Sequence, residues 1–167
     1  MTTLEILLNL LKFREIMLFN KWQTDLKTLS QQGKSRYQIL MRETSDVMQD
    51  LALAFGERQT MQYCIDTLAT MKNTTNKAVM TSVFRLFGAE IVNRDLSWYI
   101  LQGAVGKQAT KNLTDTRMSL IAEVAGQSDN LLDCLSIPKE QLLAPISGDY
   151  VKYNASPNYG EIIGAKL

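Results

Sequence analysis

A chain of 167 residues, 46% hydrophobic and 21% charged, has the length and composition of one globular domain with a substantial core. Its 18 basic and 17 acidic residues leave a formal net charge of +1 with no polybasic block, which argues against nucleic acid as a partner. There is no histidine, which excludes Ser-His, Cys-His and histidine acid–base chemistry; Cys64 and Cys134 alone cannot make a structural zinc site and, lying in apolar stretches, are expected as buried free thiols.

The first predicted element is a helix from about Leu4 to Ser30, with Thr3 as its N-cap. One stripe runs Leu4, Leu8, Leu11, Leu18, Trp22, Leu26 and Leu29, and a second runs Ile6, Leu10, Phe13 and Met17. A helix apolar on two sides is expected between neighbours, so Ile6, Leu10, Phe13 and Met17 form a candidate face for packing against a partner. Glu5, Asn9, Lys12, Arg14 and Glu15 interrupt the leucine-rich start, so it reads as a soluble helix, neither a secretory signal nor a membrane span. Gly33 suits a left-handed helix end, and Ser35 then caps a second helix reaching about Lys72. Its predicted stripe is Tyr37, Leu40, Met41, Val47, Met48, Leu51, Phe55, Ile65 and Leu68, with Gly56 marking a close crossing or a bend.

After a break at Asn73 to Asn76, a third helix is expected from about Lys77 to Leu101 through Val79, Met80, Val83, Phe84, Phe87, Ile91, Trp98 and Leu101. A glycine-containing break at 102–106 precedes a fourth, from about Lys107 to Leu135, with Leu113, Leu120, Ile121, Val124, Leu131, Leu132 and Leu135 as its apolar set. Pro138 can open a short fifth helix, Lys139 to Leu143, which Pro145 ends; the residues beyond Pro145 are expected to be extended or irregular. Rods of about 40 to 50 Å joined by short connections predict an all-α fold, an up-down bundle of four long helices with a short fifth helix and an extended C-terminal tail. The bundle is placed at residues 1–146 and the tail at 147–167.

Motifs for chemistry are sparse. Gly33-Lys34-Ser35 resembles the end of a phosphate loop, but Thr28 stands where the first glycine belongs and no strand precedes it. No Gly-x-Gly-x-x-Gly occurs, and the glycosylation patterns at Asn73 and Asn112 have no secretory signal beside them. The i,i+4 carboxylates Asp46 and Asp50, and Asp129 and Asp133, read as solvated faces, since a di-metal bundle would add histidine ligands. Arg58 and Arg85 lie among apolar residues, each facing either a carboxylate inside the bundle or a neighbouring domain. No metal site and no catalytic residue emerges; Glu43, Glu57, Glu90 and Glu123 are candidate bases only in that they are present.

The last three residues read as a candidate address. Ala165, Lys166 and Leu167 resemble the C-terminal tripeptide read by the peroxisomal import receptor, and the turn-rich run from Asn154 to Gly160 suits a free tail.

Two further segments carry a family resemblance. Val83-Phe84-Arg85-Leu86-Phe87-Gly88-Ala89-Glu90-Ile91 leads into Asp95-Leu96-Ser97-Trp98-Tyr99-Ile100-Leu101-Gln102-Gly103. Later, Leu131-Leu132-Asp133-Cys134-Leu135-Ser136-Ile137-Pro138, Leu142-Leu143-Ala144-Pro145-Ile146 and Asp149-Tyr150-Val151-Lys152-Tyr153-Asn154 occur in order. Together with Phe55-Gly56-Glu57-Arg58, these resemble the C-terminal helical domain of peroxisomal acyl-CoA oxidases across essentially the whole chain. The resemblance implies FAD-dependent desaturation of fatty acyl-CoA to trans-2-enoyl-CoA with hydrogen peroxide production, in fatty-acid β-oxidation. It also implies that the catalytic glutamate and the main FAD contacts belong to preceding domains. No catalytic or FAD-binding residue therefore carries over, and this chain alone is expected to bind no FAD and to be inactive.

On that reading the chain is the oxidase's C-terminal domain, packing on the catalytic core or a second subunit and presenting the import signal in the peroxisomal matrix. The alternative is a stand-alone, non-catalytic peroxisomal protein that binds oxidase subunits.

Overall fold

The computed structural model describes residues 2–138, 141–142 and 144–155, and among them every regular element is helical. Contacts divide the chain into two compact units, Met1–Gln127 and Ser128–Leu167. The first holds α1 (Leu4–Gln31), α2 (Arg36–Gln38) running into a π-helical turn (Ile39–Glu43), α3 (Ser45–Thr70), α4 (Thr74–Arg94), α5 (Leu96–Leu101) and α6 (Lys107–Ala125). The second holds α7 (Ser128–Cys134), a 3₁₀ turn (Pro145–Ser147) and α8 (Tyr150–Ala155).

The helix starts are made locally, the third at Thr74 rather than at the expected Lys77. Thr3 Oγ1 accepts from the Ile6 amide at 3.3 Å, and Asn73 Oδ1 accepts from that of Asn76 at 3.0 Å. Ser35 and Gln38 form a capping box, each side chain accepting from the other's backbone N–H. Gly33 takes φ +78°, the left-handed turn that ends α1. The Gly33-Lys34-Ser35 run is thus a helix end followed by a helix cap.

Three long predicted helices are broken. The second is interrupted at Thr44, whose amide and hydroxyl both donate to the Ile39 carbonyl, at 2.9 and 3.0 Å, closing a π turn. The third breaks at Asp95, and the fourth at Gly126 and Gln127, where a residue with poor helix propensity ends α6. Pro145 opens a 3₁₀ turn, and residues 150–155 form a helix where an extended tail was expected: Asp149 Oδ1 accepts from the Lys152 amide at 2.9 Å and so caps it. The proposed fifth helix lies mostly outside the described residues.

Within the first unit α1 packs on α3 and α4, α3 on α4, and α4 on α6. The core joins Leu7, Leu8 and Leu11 of α1, Met61 of α3, Ala89, Ile91 and Val92 of α4, Tyr99 of α5, and Val105 and Leu113 beyond. This is not the set the stripes predict: Leu7 is fully buried and absent from both, whereas Tyr37, Met41, Phe55 and Leu101 are exposed. α3 turns the seam Ala54, Met61 and Leu68 inward, at a spacing of seven, which leaves its Met48, Leu51 and Phe55 edge outside. The close crossing belongs to Gly88, where an added Cβ would lie 3.1 Å from Leu7 Cδ1 and Met61 Cε; around Gly56 such an atom meets nothing within 4 Å. Cys64 is half-buried, and burial pushes its thiol above the ordinary value; Cys134 is exposed, contrary to expectation.

Candidate functional site

Arg14 falls on the buried stripe of α1, between Leu11 and Leu18, and brings a charge into the core. Its Nη1 lies 2.7 Å from Glu57 Oε2 and 3.0 Å from Asp95 Oδ2. Arg94 closes the group, donating to both oxygens of Glu57 at 2.7 and 3.0 Å and to Asp95 Oδ2 at 2.9 Å. Two cations and two anions neutralise one another where α1, α3 and the α4–α5 break meet. The hydrogen bonds it donates to Glu57 and then to Asp95 hold the Arg94 guanidinium above its ordinary pKa. The Tyr99 ring is stacked edge-on against Trp98 at 5.1 Å, and its hydroxyl donates to the Leu10 carbonyl at 3.3 Å.

Tyr99 gives this region a pH signature. Burial first, then the charges of Asp95 and Glu57, raise its phenol above the ordinary value of 10.0, against Arg14 and Arg94. The unfolded chain therefore loses the phenolic proton first. This contribution to stability is intact below about pH 10 and is lost as pH rises beyond it. In a spectrophotometric titration Tyr99 should ionise last, together with unfolding, and Tyr99→Phe should delete that phase. A Tyr99 that ionises with the exposed tyrosines, while the chain stays folded, would contradict this assignment.

The remaining candidate carboxylates are also engaged or solvated. Glu90 accepts from Arg117 Nε at 2.7 Å and Glu123 from the buried Ser82 hydroxyl, two links between α4 and α6. Glu43 pairs with Lys34, and Asp46, Asp50, Asp129 and Asp133 are exposed. Arg58 makes a two-pronged pair with Glu15, at 2.6 and 3.1 Å, and covers the Phe55 ring at 5.0 Å. Arg85 donates from Nε to the Thr2 carbonyl at 3.2 Å, tying the start of α1 to α4. Both arginines are thus used within the chain. No group of three or more Cys, Asp or Glu side chains that could hold a metal occurs among the described residues.

Of the predicted packing face, Leu10 and Phe13 lie against the core, with Phe13 6.0 Å from Trp98; Met17 is half-buried and Ile6 is exposed. A larger open surface lies elsewhere. An open groove of about 1050 Å³ runs between the C-terminal half of α1 and the α2–π segment, lined by Trp22, Leu26, Lys27, Lys34, Arg36 and Ile39, among others. It shares Trp22 and Met48 with a 450 Å³ hollow at Phe19, Leu51 and Phe55, which shares Glu15, Phe19 and Leu51 with a 380 Å³ hollow at Lys12 and Ile16. Sequence reasoning missed this surface: Ile16 and Phe19 belong to no predicted stripe, but Met48, Leu51 and Phe55 were expected on the inward stripe of the second helix. The tripeptide Ala165, Lys166 and Leu167 lies outside the described residues.

These features define an all-α domain in which Arg14, Arg58, Arg94 and Arg117 tie helices together through carboxylates, with a groove left open on one side. The family model described as acyl-CoA oxidase matches residues 3–149, and the chain belongs to that family. No curated protein and no solved structure matches it.

The family is FAD-dependent in general. None of the described hollows encloses a flavin: the three larger ones, of about 1050, 450 and 380 Å³, are open to solvent. The large groove is open along its length, and two of the tighter slots, at Leu10 and Val105 and at Ser82 and Glu123, hold about 220 and 100 Å³. Ligand pockets begin at roughly 300 Å³.

Proposed function

We propose that this chain is the C-terminal helical domain of a peroxisomal acyl-CoA oxidase, the flavoenzyme that desaturates fatty acyl-CoA to trans-2-enoyl-CoA and yields hydrogen peroxide. The family match over residues 3–149 carries this reading. Its role is to pack on the catalytic core or a second subunit and to present Ala165-Lys166-Leu167 to the import receptor. Abstracting the α-proton of an acyl-CoA needs a positioned carboxylate free to take it. Here Glu57, Glu90 and Glu123 are bound to Arg14, Arg94, Arg117 and Ser82. The base and the flavin are therefore assigned to the preceding domains of the oxidase.

The test is the intact mass of the native product, detected in its source cells with an antibody against residues 149–167 and located by fractionation. A product several times heavier than 18.9 kDa in the peroxisomal fraction is expected. A product of 18.9 kDa, or a heavier one outside peroxisomes, would refute this reading.

A further inference from the structure

The three hollows form one trough along α1. Its lining extends from Lys12 to Ser30, a length of about 27 Å at the rise of an α-helix. The two smaller hollows have an apolar and aromatic floor: Ile16, Phe19 and Phe55 are 57%, 42% and 52% exposed, and Phe19 and Trp22 lie 6.2 Å apart. The largest hollow sets Trp22, Leu26, Ile39, Leu40 and Met48 among Asn20, Gln23, Thr24 and Ser30. Its far wall is the π-helical turn, which contributes Ile39 and Leu40. A trough this long, open and shallow fits a helix laid lengthwise better than a small molecule enclosed on most sides.

The charges on its walls are one-sided. Lys12 stands at one end, and Lys27, Lys34 and Arg36 at the other. The one carboxylate among the lining residues of these hollows, Glu15, is taken by Arg58, and Lys34 is taken by Glu43 from outside the lining. Lys12, Lys27 and Arg36 have no ion-pair partner among the described residues. An otherwise nearly neutral chain thus presents unpaired cations at both ends of this trough. A second copy of the same face would set cation against cation, which disfavours self-association through it.

We propose that this trough is the seat of an amphipathic α-helix of the oxidase partner, apolar on one side and carrying carboxylates that meet Lys12 at one end and Lys27 and Arg36 at the other. The inference rests on the reading that this domain packs on an oxidase partner, and it names the face and the chemistry. The indole N–H of Trp22, buried without a hydrogen-bond partner, lies in the wall the two larger hollows share.

The test uses the full chain and two fluorescein-labelled peptides of about eighteen residues, the number that spans the trough as a helix. Both carry leucine along one helical face; one has glutamate at the remaining positions and the other lysine. By fluorescence anisotropy the glutamate peptide should bind about tenfold or more tightly than the lysine peptide at low salt. Lys27→Glu with Arg36→Glu should reverse the preference. Phe19→Glu with Phe55→Glu should abolish binding of both, with the helical circular dichroism unchanged because both rings are already exposed.

Equal affinities, no binding of the glutamate peptide, or binding that survives the Phe19 and Phe55 changes would overturn the proposal. So would retention on phosphatidylserine vesicles, or self-association, that the same two changes remove. The native mass tests the oxidase reading separately: a heavy peroxisomal product with no peptide binding would strike the assigned face alone.

Discussion

Truncating Arg14 to alanine is expected to lower the free energy of unfolding by about 3 kcal/mol, read from urea denaturation of the purified chain. Its side chain is 8% exposed, and that of Glu57, which it contacts, is 11% exposed. Without Arg14 the two carboxylates share one cation in a site with little water, and the guanidinium leaves a void between α1 and α3. The cost stands at the low end of what breaking a buried pair brings, because Arg94 remains bound to both Glu57 and Asp95. Arg94→Ala is the contrast. That side chain is 47% exposed, so solvent already screens its pairs, and its loss should cost about 1 kcal/mol or less. Equal effects of the two truncations would show that the group is not organised around Arg14.

Gly88→Val should be at least as damaging, lowering stability by more than about 3 kcal/mol and the melting temperature accordingly. The reason is space. The first added carbon would already lie 3.1 Å from Leu7 Cδ1 and Met61 Cε and 3.2 Å from Leu7 Cβ, and Leu7 and Met61 are fully buried. The methyl groups at the end of Leu7 and Met61 can yield slightly, but Leu7 Cβ moves only with α1. Gly88→Ala sets this crowding against a helix-propensity gain of roughly 1 kcal/mol, and a net loss of about 1 kcal/mol is expected. Gly56→Ala should act with the opposite sign, since no atom stands near its added carbon and only the propensity gain remains. A Gly88→Ala variant stabilised as much as Gly56→Ala would mean that α4 does not approach α1 and α3 this closely.

The oxidase reading and the trough bear on different levels of the same problem. Family membership concerns descent and covers residues 3–149. The trough concerns what remains exposed once α1, α3 and α4 have satisfied one another. Its apolar floor does not belong to the core of the first unit, since Ile16, Phe19 and Phe55 are absent from it.

What the sequence determined by itself is local. The all-α class, the N-caps at Thr3 and Ser35, the left-handed end at Gly33 and the breaks near 33, 73 and 103 were legible because each is satisfied within a few residues of itself. The family resemblance was legible for a related reason: its segments are contiguous. Tertiary structure decided which apolar residues became core. α3 and α4 are apolar on more than one side, so periodicity offered several inward faces, and only packing chose Met61 over Phe55 and buried Leu7 beneath Gly88. It also decided the charge group, whose members are brought together across separations of 43 and 37 residues. A cation at Arg14 on a leucine stripe was the one sequence sign of it. Which carboxylates would meet that cation depended on three helices converging, because a buried charge takes its partner from whatever the fold places within reach.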